Sequence, residues 1–235
     1  MKLKKFTLVV ILSIFILTII SGKCFMAQES KNKPSENSVI KLPEPRFDSE
    51  TSVEKAMKNR KSRRNYIDSP LNLQEVSQIL WSAQGITRQG FYRTVPSAGA
   101  LYPLEIYVFV GNVTNLSNGI YKYKPQSNEL LKVADGDKRY ELSVSALDQD
   151  FLEKASIDLL FCAVYERVTG KYGKRGIMYV TMEAGHASQN VYLQAEALGL
   201  GTVAVGAFEE DKVKKIFKLE KDEEPIYIMP VGRVK

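Results

Sequence analysis

Hydrophobic positions fall into two regimes along this chain, a single unbroken block at the start and a series of periodic or short apolar runs from about residue 50 onward. Phe6 to Ile20 is continuously uncharged and apolar, preceded by Lys2, Lys4 and Lys5 and followed by the small pair Ser21-Gly22. That order of features reads as a secretory signal, to be set aside before fold reasoning. The run is shorter than the roughly 20 apolar residues of a relaxed membrane-spanning helix. Residues 1–27 are therefore expected to be a cleaved signal, with an uncleaved anchor or lipidation at Cys24 as the alternatives. Residues 28–48 are polar, carry three prolines and are expected to be a flexible linker.

The periodic part, 49–235, predicts one domain. Ser52 to Met57 reads as a short helix, and Leu73 to Ser82 as a second one, with Asn72 as N-cap and Gly85 ending it. Glu105–Val110 and Ile157–Val164 are continuous apolar strands, while Ile120–Tyr123 and Glu129–Val133 form a hairpin around Lys124–Asn128. A helical stretch is expected around Lys138–Leu147. The longest helical pattern, Ile177 to Leu198, closes on Gly199 in the position of a left-handed cap. Thr202–Val205, Glu209–Phe217 and Pro225–Val231 complete the series as strand, helix and strand. The elements alternate without a regular βαβ rhythm, and no G-x-G-x-x-G follows the first strand. The fold class is α+β, and a Rossmann dinucleotide fold is disfavoured.

Charge changes meaning once the first 27 residues are removed. Four lysines and no acids lie there, so the formal +6 of the whole chain falls to +2. That is too mild to indicate nucleic acid, and no later Arg-rich helix appears. Cys162 alone remains beyond the signal, so an internal disulfide is ruled out, and its apolar surroundings suit a buried thiol. With one histidine, His186, the usual nucleophile–base pairs and zinc sites lack parts, and no metal ligands are expected. A bound cofactor that supplies the reactive atom is the better reading.

Four segments could build such a site. Arg60-Lys61-Ser62-Arg63-Arg64 offers charge-assisted and bidentate bonds to a phosphate, although a solvated basic turn would look the same. Pro96-Ser97-Ala98-Gly99 leads into a strand, and its small residues let a flat ring approach the backbone, as an ordinary loop would also allow. Glu183-Ala184-Gly185-His186-Ala187-Ser188-Gln189-Asn190 sits in the long helix, where small residues permit close packing of a core or a second chain. Leu198 to Phe208 and the terminal Pro230-Val231-Gly232-Arg233 are the fourth.

In this order the four segments resemble the nitroreductase superfamily, most closely its SagB-type branch of thiazoline/oxazoline dehydrogenases, over about residue 50 to the end of the chain. The resemblance implies a central mixed or antiparallel sheet flanked by helices, an intertwined homodimer, and flavin mononucleotide (FMN) at the interface. By position it assigns Arg60, Lys61, Ser62 and Arg64 to the phosphate and ribityl chain, and Pro96, Ser97, Ala98 and Gly99 to the ring. It assigns Val205 and Gly206 to the backbone near flavin N5, and Arg233 to the completion of the phosphate site. Lys171-Tyr172 matches a pair proposed to handle the substrate proton, against the plainer reading of a glycine-rich surface loop over 169–176. Hydride transfer between a small-molecule or peptide substrate and a donor such as NAD(P)H or a quinol follows from the resemblance. Export would place the enzyme outside the membrane, tethered only through its N-terminal segment. An exported flavin-binding protein without turnover is the rival, and a structural envelope protein a second one.

Overall fold

The computed structural model describes residues 38–88 and 92–235, so the expected signal and the first part of the expected linker lie outside the described residues. The described chain belongs to one unit beginning at Glu36. Its centre is a seven-stranded sheet in which every neighbouring pair is antiparallel, in the order β1-β4-β3-β2-β5-β7-β6. The strands are β1 (Val39–Lys41), β2 (Leu104–Val110), β3 (Gly119–Lys124), β4 (Glu129–Asp135), β5 (Ile157–Ala163), β6 (Leu200–Thr202) and β7 (Glu224–Arg233).

The continuous apolar runs of β2 and β5 are explained by burial on both faces. Ile106, Val108, Leu159 and Phe161 point to one side, where they meet α2 (Leu73–Gln84) and α6 (Arg175–Ala197). Tyr107, Phe109, Leu160 and Cys162 point to the other. There they meet α3 (Arg139–Ser145), α4 (Phe151–Lys154) and α7 (Glu210–Phe217). Period-two alternation thus feeds two cores rather than one core and solvent. Cys162 is fully buried in the second, and burial pushes its thiol well above the usual range.

Local signals place the helices. Asn72 accepts from the Glu75 N–H at 2.9 Å, and the Glu75 carboxylate accepts from the Asn72 N–H at 2.8 Å, which makes a capping box at the start of α2. Gly199 takes φ +68° just past α6, as expected of a left-handed cap. α6 crosses the sheet on small residues, Ala184, Ala187 and Ala195, all buried. Among the described residues no helix is long and apolar enough to cross a membrane.

Several expectations need correction. The second half of the expected linker belongs to the domain: β1 pairs with β4 at the sheet edge and Leu42 is buried. Residues 169–176 are not mainly a loop, because α5 (Glu166–Tyr172) runs through them to Gly173 at φ +55°. β6 lies two residues earlier than expected, and Val205 instead forms an isolated bridge with Ile228. α4 was not anticipated, being only four residues long.

Candidate active site

α1 (Val53–Asn59) is capped by Ser52 and stops at Arg60, whose backbone turns extended. From there the basic segment is held mainly through its backbone. The Arg63 N–H donates to the Thr202 carbonyl at 2.9 Å, and the Tyr66 hydroxyl donates to the Arg63 carbonyl at 2.8 Å. Side chains are left to face outward, with Tyr192 of α6 as their support. The Arg60 guanidinium lies 5.2 Å from the Tyr192 ring centre, and the Ser62 hydroxyl lies 3.1 Å from the Tyr192 hydroxyl. Tyr192 also accepts from the Ala204 N–H at 2.8 Å, which ties the basic segment to the stretch after β6.

Lys61, Ser62 and Arg64 line a cavity of about 380 Å³ together with Lys235. Arg64 and Lys235 continue into an adjoining cavity of about 710 Å³, where Arg64 sits 5.7 Å from the Phe151 ring centre. Arg63 also lines the smaller cavity, while its Nη2 reaches Glu196 at 3.4 Å and its buried Nε has no partner. Arg233, expected at this site, is placed elsewhere. Its Nη2 donates to both Glu75 oxygens at 3.0 Å and its Nε to the Pro70 carbonyl at 3.2 Å, so it braces the capping box of α2. Lys235, two residues on, is the cation of this stretch that lines both cavities.

The second group of expected residues meets at the other half of α6. Ser97 accepts from the Tyr102 N–H at 2.9 Å across a single 3₁₀ turn, Ala98–Ala100. Within that turn Gly99 has φ +64°, and Ala100 and Tyr102 also take positive φ, at 54° and 46°. A Cβ on Gly99 would lie 2.8 Å from the Tyr172 hydroxyl and 3.1 Å from the Lys171 ammonium. The bare face of Gly99 is therefore what admits these two groups. Tyr172 packs edge-on against Tyr179 of α6, with ring centres 5.3 Å apart.

One turn beyond Tyr179, Glu183 is buried, and the Ser97 hydroxyl and Arg93 are the groups that favour its charged form. Its Oε1 has no partner, and burial raises its carboxyl to about 7, against the opposing influence of Ser97 and Arg93. A carboxyl that exchanges its proton near neutrality thus stands behind the loop that carries Gly99. The Val205 N–H donates to the Ile228 carbonyl at 2.8 Å, and the Val205 carbonyl accepts from the Ile228 N–H at 2.9 Å. Gly206, which follows it, is exposed.

The sequence profile of the nitroreductase family matches residues 57–233, a span that takes in both groups of residues except Lys235. This chain belongs to the nitroreductase family. It is an oxidoreductase by that membership, and its sheet and helices have the nitroreductase fold. A nitroreductase-family protein of Methanocaldococcus jannaschii is 48% identical over 184 residues, 78% of this chain and 92% of that protein. The microcin B17-processing protein McbC of Escherichia coli is 30% identical over 164 residues, 67% of this chain and 60% of McbC. An FMN reductase (NADPH) of Bacillus subtilis is 24% identical over 188 residues, 74% of this chain and 62% of that enzyme. The chain thus spans a little over half the length of the last two. A solved nitroreductase structure from Ralstonia eutropha superposes with a TM-score of 0.73 at 30% identity, covering 86% of this chain and 91% of that one.

For this nitroreductase-family site, three contributors escaped the sequence reading. Tyr192 lies inside an expected helix, yet only its three-dimensional contacts reveal it as the hub of Arg60, Ser62 and Ala204. Glu183 belongs to a quoted motif, but its link to Ser97 spans elements far apart in sequence. Lys235 stands two residues beyond Arg233 and has no sequence signature that separates the two cations.

Proposed function

We propose that this nitroreductase-family chain is an FMN-dependent oxidoreductase of the SagB type that moves a hydride between a donor and a small-molecule or peptide acceptor or substrate. The observation that carries the reading is that a single helix, α6, supports a basic cavity at one end and the Gly99–Lys171–Tyr172 cluster at the other.

The residues present fit FMN. Lys61, Ser62, Arg64 and Lys235 give a phosphate three cations and a hydroxyl around one cavity, and Arg60 stands beside them on Tyr192. Pro96, Ser97, Ala98 and Gly99 form the small-residue surface suited to a flat ring, and Gly206 offers a second open backbone. When bound, FMN supplies a two-electron carrier with its reactive position at N5. Lys171 and Tyr172 would then handle the proton that accompanies the hydride, at the Lys171 Nζ or the Tyr172 hydroxyl. Glu183 stands beside the Ser97 hydroxyl and carries a proton of its own near neutral pH.

The functional unit in this proposal is a homodimer. α6 leaves Met178 and Met182 exposed on one face, and a Cβ added to the neighbouring Gly185 would meet nothing within 4 Å. A glycine with no close neighbour in its own chain suits the approach of a second copy. NAD(P)H or a quinol is the donor in this reading, and the N-terminal segment carries the chain outside the membrane.

The test is direct. The purified chain is expected to be yellow and to hold one FMN per protomer. NADH, NADPH or a quinol should bleach it, and an acceptor should restore the colour. A colourless protein that FMN cannot reconstitute overturns the reading, whereas bound FMN that no donor reduces would leave only a flavin carrier.

A further inference from the structure

A third cavity, of about 260 Å³, lies between the C-terminal end of α2, the start of β2, the turn after β3 and the first turn of α5. Three cations line it, Arg93, Lys124 and Arg167, against one carboxylate, Glu105. That carboxylate is already engaged. Arg167 Nη2 lies 2.7 Å from its Oε1, and Lys122, from outside the lining, lies 3.5 Å from its Oε2.

Gln84, at the end of α2, also lines the cavity and is fully buried. Its Oε1 accepts from Arg93 Nη1 at 2.8 Å, while its Nε2 has no partner. A buried donor left unpaired costs about 1–3 kcal/mol, so the vacancy at Nε2 calls for an acceptor. Burial also holds the Arg93 guanidinium below its ordinary value, the sign of a cation short of solvation. The cavity therefore supplies an unpaired buried N–H donor and three cations against one already engaged carboxylate. Its complement is an anion with more than one acceptor oxygen.

We propose that this cavity, where the unpaired Gln84 amide and the Arg93 and Arg167 guanidiniums converge, is a binding site for a small organic carboxylate. Leu104 gives the carbon skeleton an apolar wall. The volume is ample for a small dicarboxylate. The inference stands apart from the flavin reading, since none of these residues lines the basic cavity.

Occupancy has a structural consequence. Arg93 stacks on the Tyr102 ring with its guanidinium 4.5 Å from the ring centre, and Arg167 Nη1 donates to the Tyr102 carbonyl at 3.0 Å. Both arginines that would hold the carboxylate thus already hold Tyr102, a non-glycine residue at φ 46°. A bound acid fixes the two clamps of the strained loop.

The test is thermal unfolding of the full chain, titrated with succinate at constant ionic strength, with succinamide and inorganic phosphate as parallel arms. Succinate is expected to raise the unfolding temperature saturably by several degrees, and succinamide to leave it unmoved. Gln84→Glu places a carboxylate beside Arg93, keeps the fold and should abolish the succinate response. Arg167→Gln should weaken it at least tenfold. No response of the wild type to succinate overturns the proposal, as does a response that survives in Gln84→Glu or one matched by succinamide. A response to phosphate that equals that of succinate and is likewise lost in Gln84→Glu overturns the assignment to organic carboxylates.

Discussion

The two ends of the site share α6 yet are built on opposite principles. Tyr192 and Glu183, their respective supports, are nine residues apart, about 13 Å along the helix at 1.5 Å per residue. At the basic end Lys61, Ser62 and Arg64 are exposed, and the chain beneath them is fixed by backbone bonds. At the other end the groups are packed into one another. Gly99 has no room for a side chain, Tyr172 is wedged against Tyr179, and Glu183 is buried with an unpaired oxygen. The difference teaches which task needs rigidity. Capturing a phosphate relies on charge and a few donors that can settle around it, whereas placing a proton-handling group demands geometry fixed beforehand.

The sharpest way to break this contrast is Arg60→Ala with Arg64→Ala. Charge-assisted bonds are each worth about 1.5–3 kcal/mol, so the pair is expected to lower FMN affinity by about a hundredfold or more. Flavin fluorescence titration reads this. Stability should fall by no more than about 1–2 kcal/mol, the worth of the two ring contacts that Arg60 and Arg64 make with Tyr192 and Phe151. Unchanged affinity would mean that the phosphate is held elsewhere.

Glu183→Gln probes the opposite end through pH. The folded carboxyl is raised from 4.5 to about 7, so the stability linked to its proton is complete below pH 4.5 and lost as pH rises through about 7. The whole shift corresponds to roughly 3 kcal/mol as an upper bound. Denaturant unfolding at pH 5 and pH 8 should show the loss in the wild type and a flattened profile in the variant. A wild-type profile already flat over this window would remove Glu183 from the account.

Gly99→Ala comes next. A side chain in the left-handed region costs about 1–2 kcal/mol, and the new methyl must displace the Tyr172 hydroxyl. Turnover is expected to fall further than FMN affinity, as steady-state kinetics and titration together would show. An equal fall in both would tie Gly99 to binding alone. The smallest effect belongs to Tyr192→Phe, which removes a hydroxyl shared by Ser62 and Ala204 and costs about 1 kcal/mol. A modest drop in FMN affinity with an unaltered pH profile would keep the two ends separate. A changed profile would join them.

How much of this was legible in advance depends on the range of the interactions. β2 and β5 declare themselves as apolar runs, and the Asn72–Glu75 box and the Gly199 cap are local signatures that the structure keeps. β1 was hidden because three residues among prolines and charges become a strand only by pairing with β4, about ninety positions away. Arg233 looked like a phosphate ligand because nothing near it in sequence announces Glu75, 158 residues earlier. The same holds for Val205, whose backbone pairs with Ile228, and for Arg63, whose guanidinium reaches Glu196. Local chemistry could be read; the partner that claims a side chain or a backbone group from a distance could not.

Cys162 turns the central sheet into its own reporter. Its thiol lies at the heart of β5 with no exposure, held in its unreactive protonated form. An alkylating reagent can reach it only when the helices that cover this face of the sheet, α3, α4 and α7, lift away or the sheet itself opens. In the domain itself no second cysteine competes for the label. The rate of covalent capture at this one sulfur therefore counts the openings of the core beneath α3, α4 and α7, without any engineered probe.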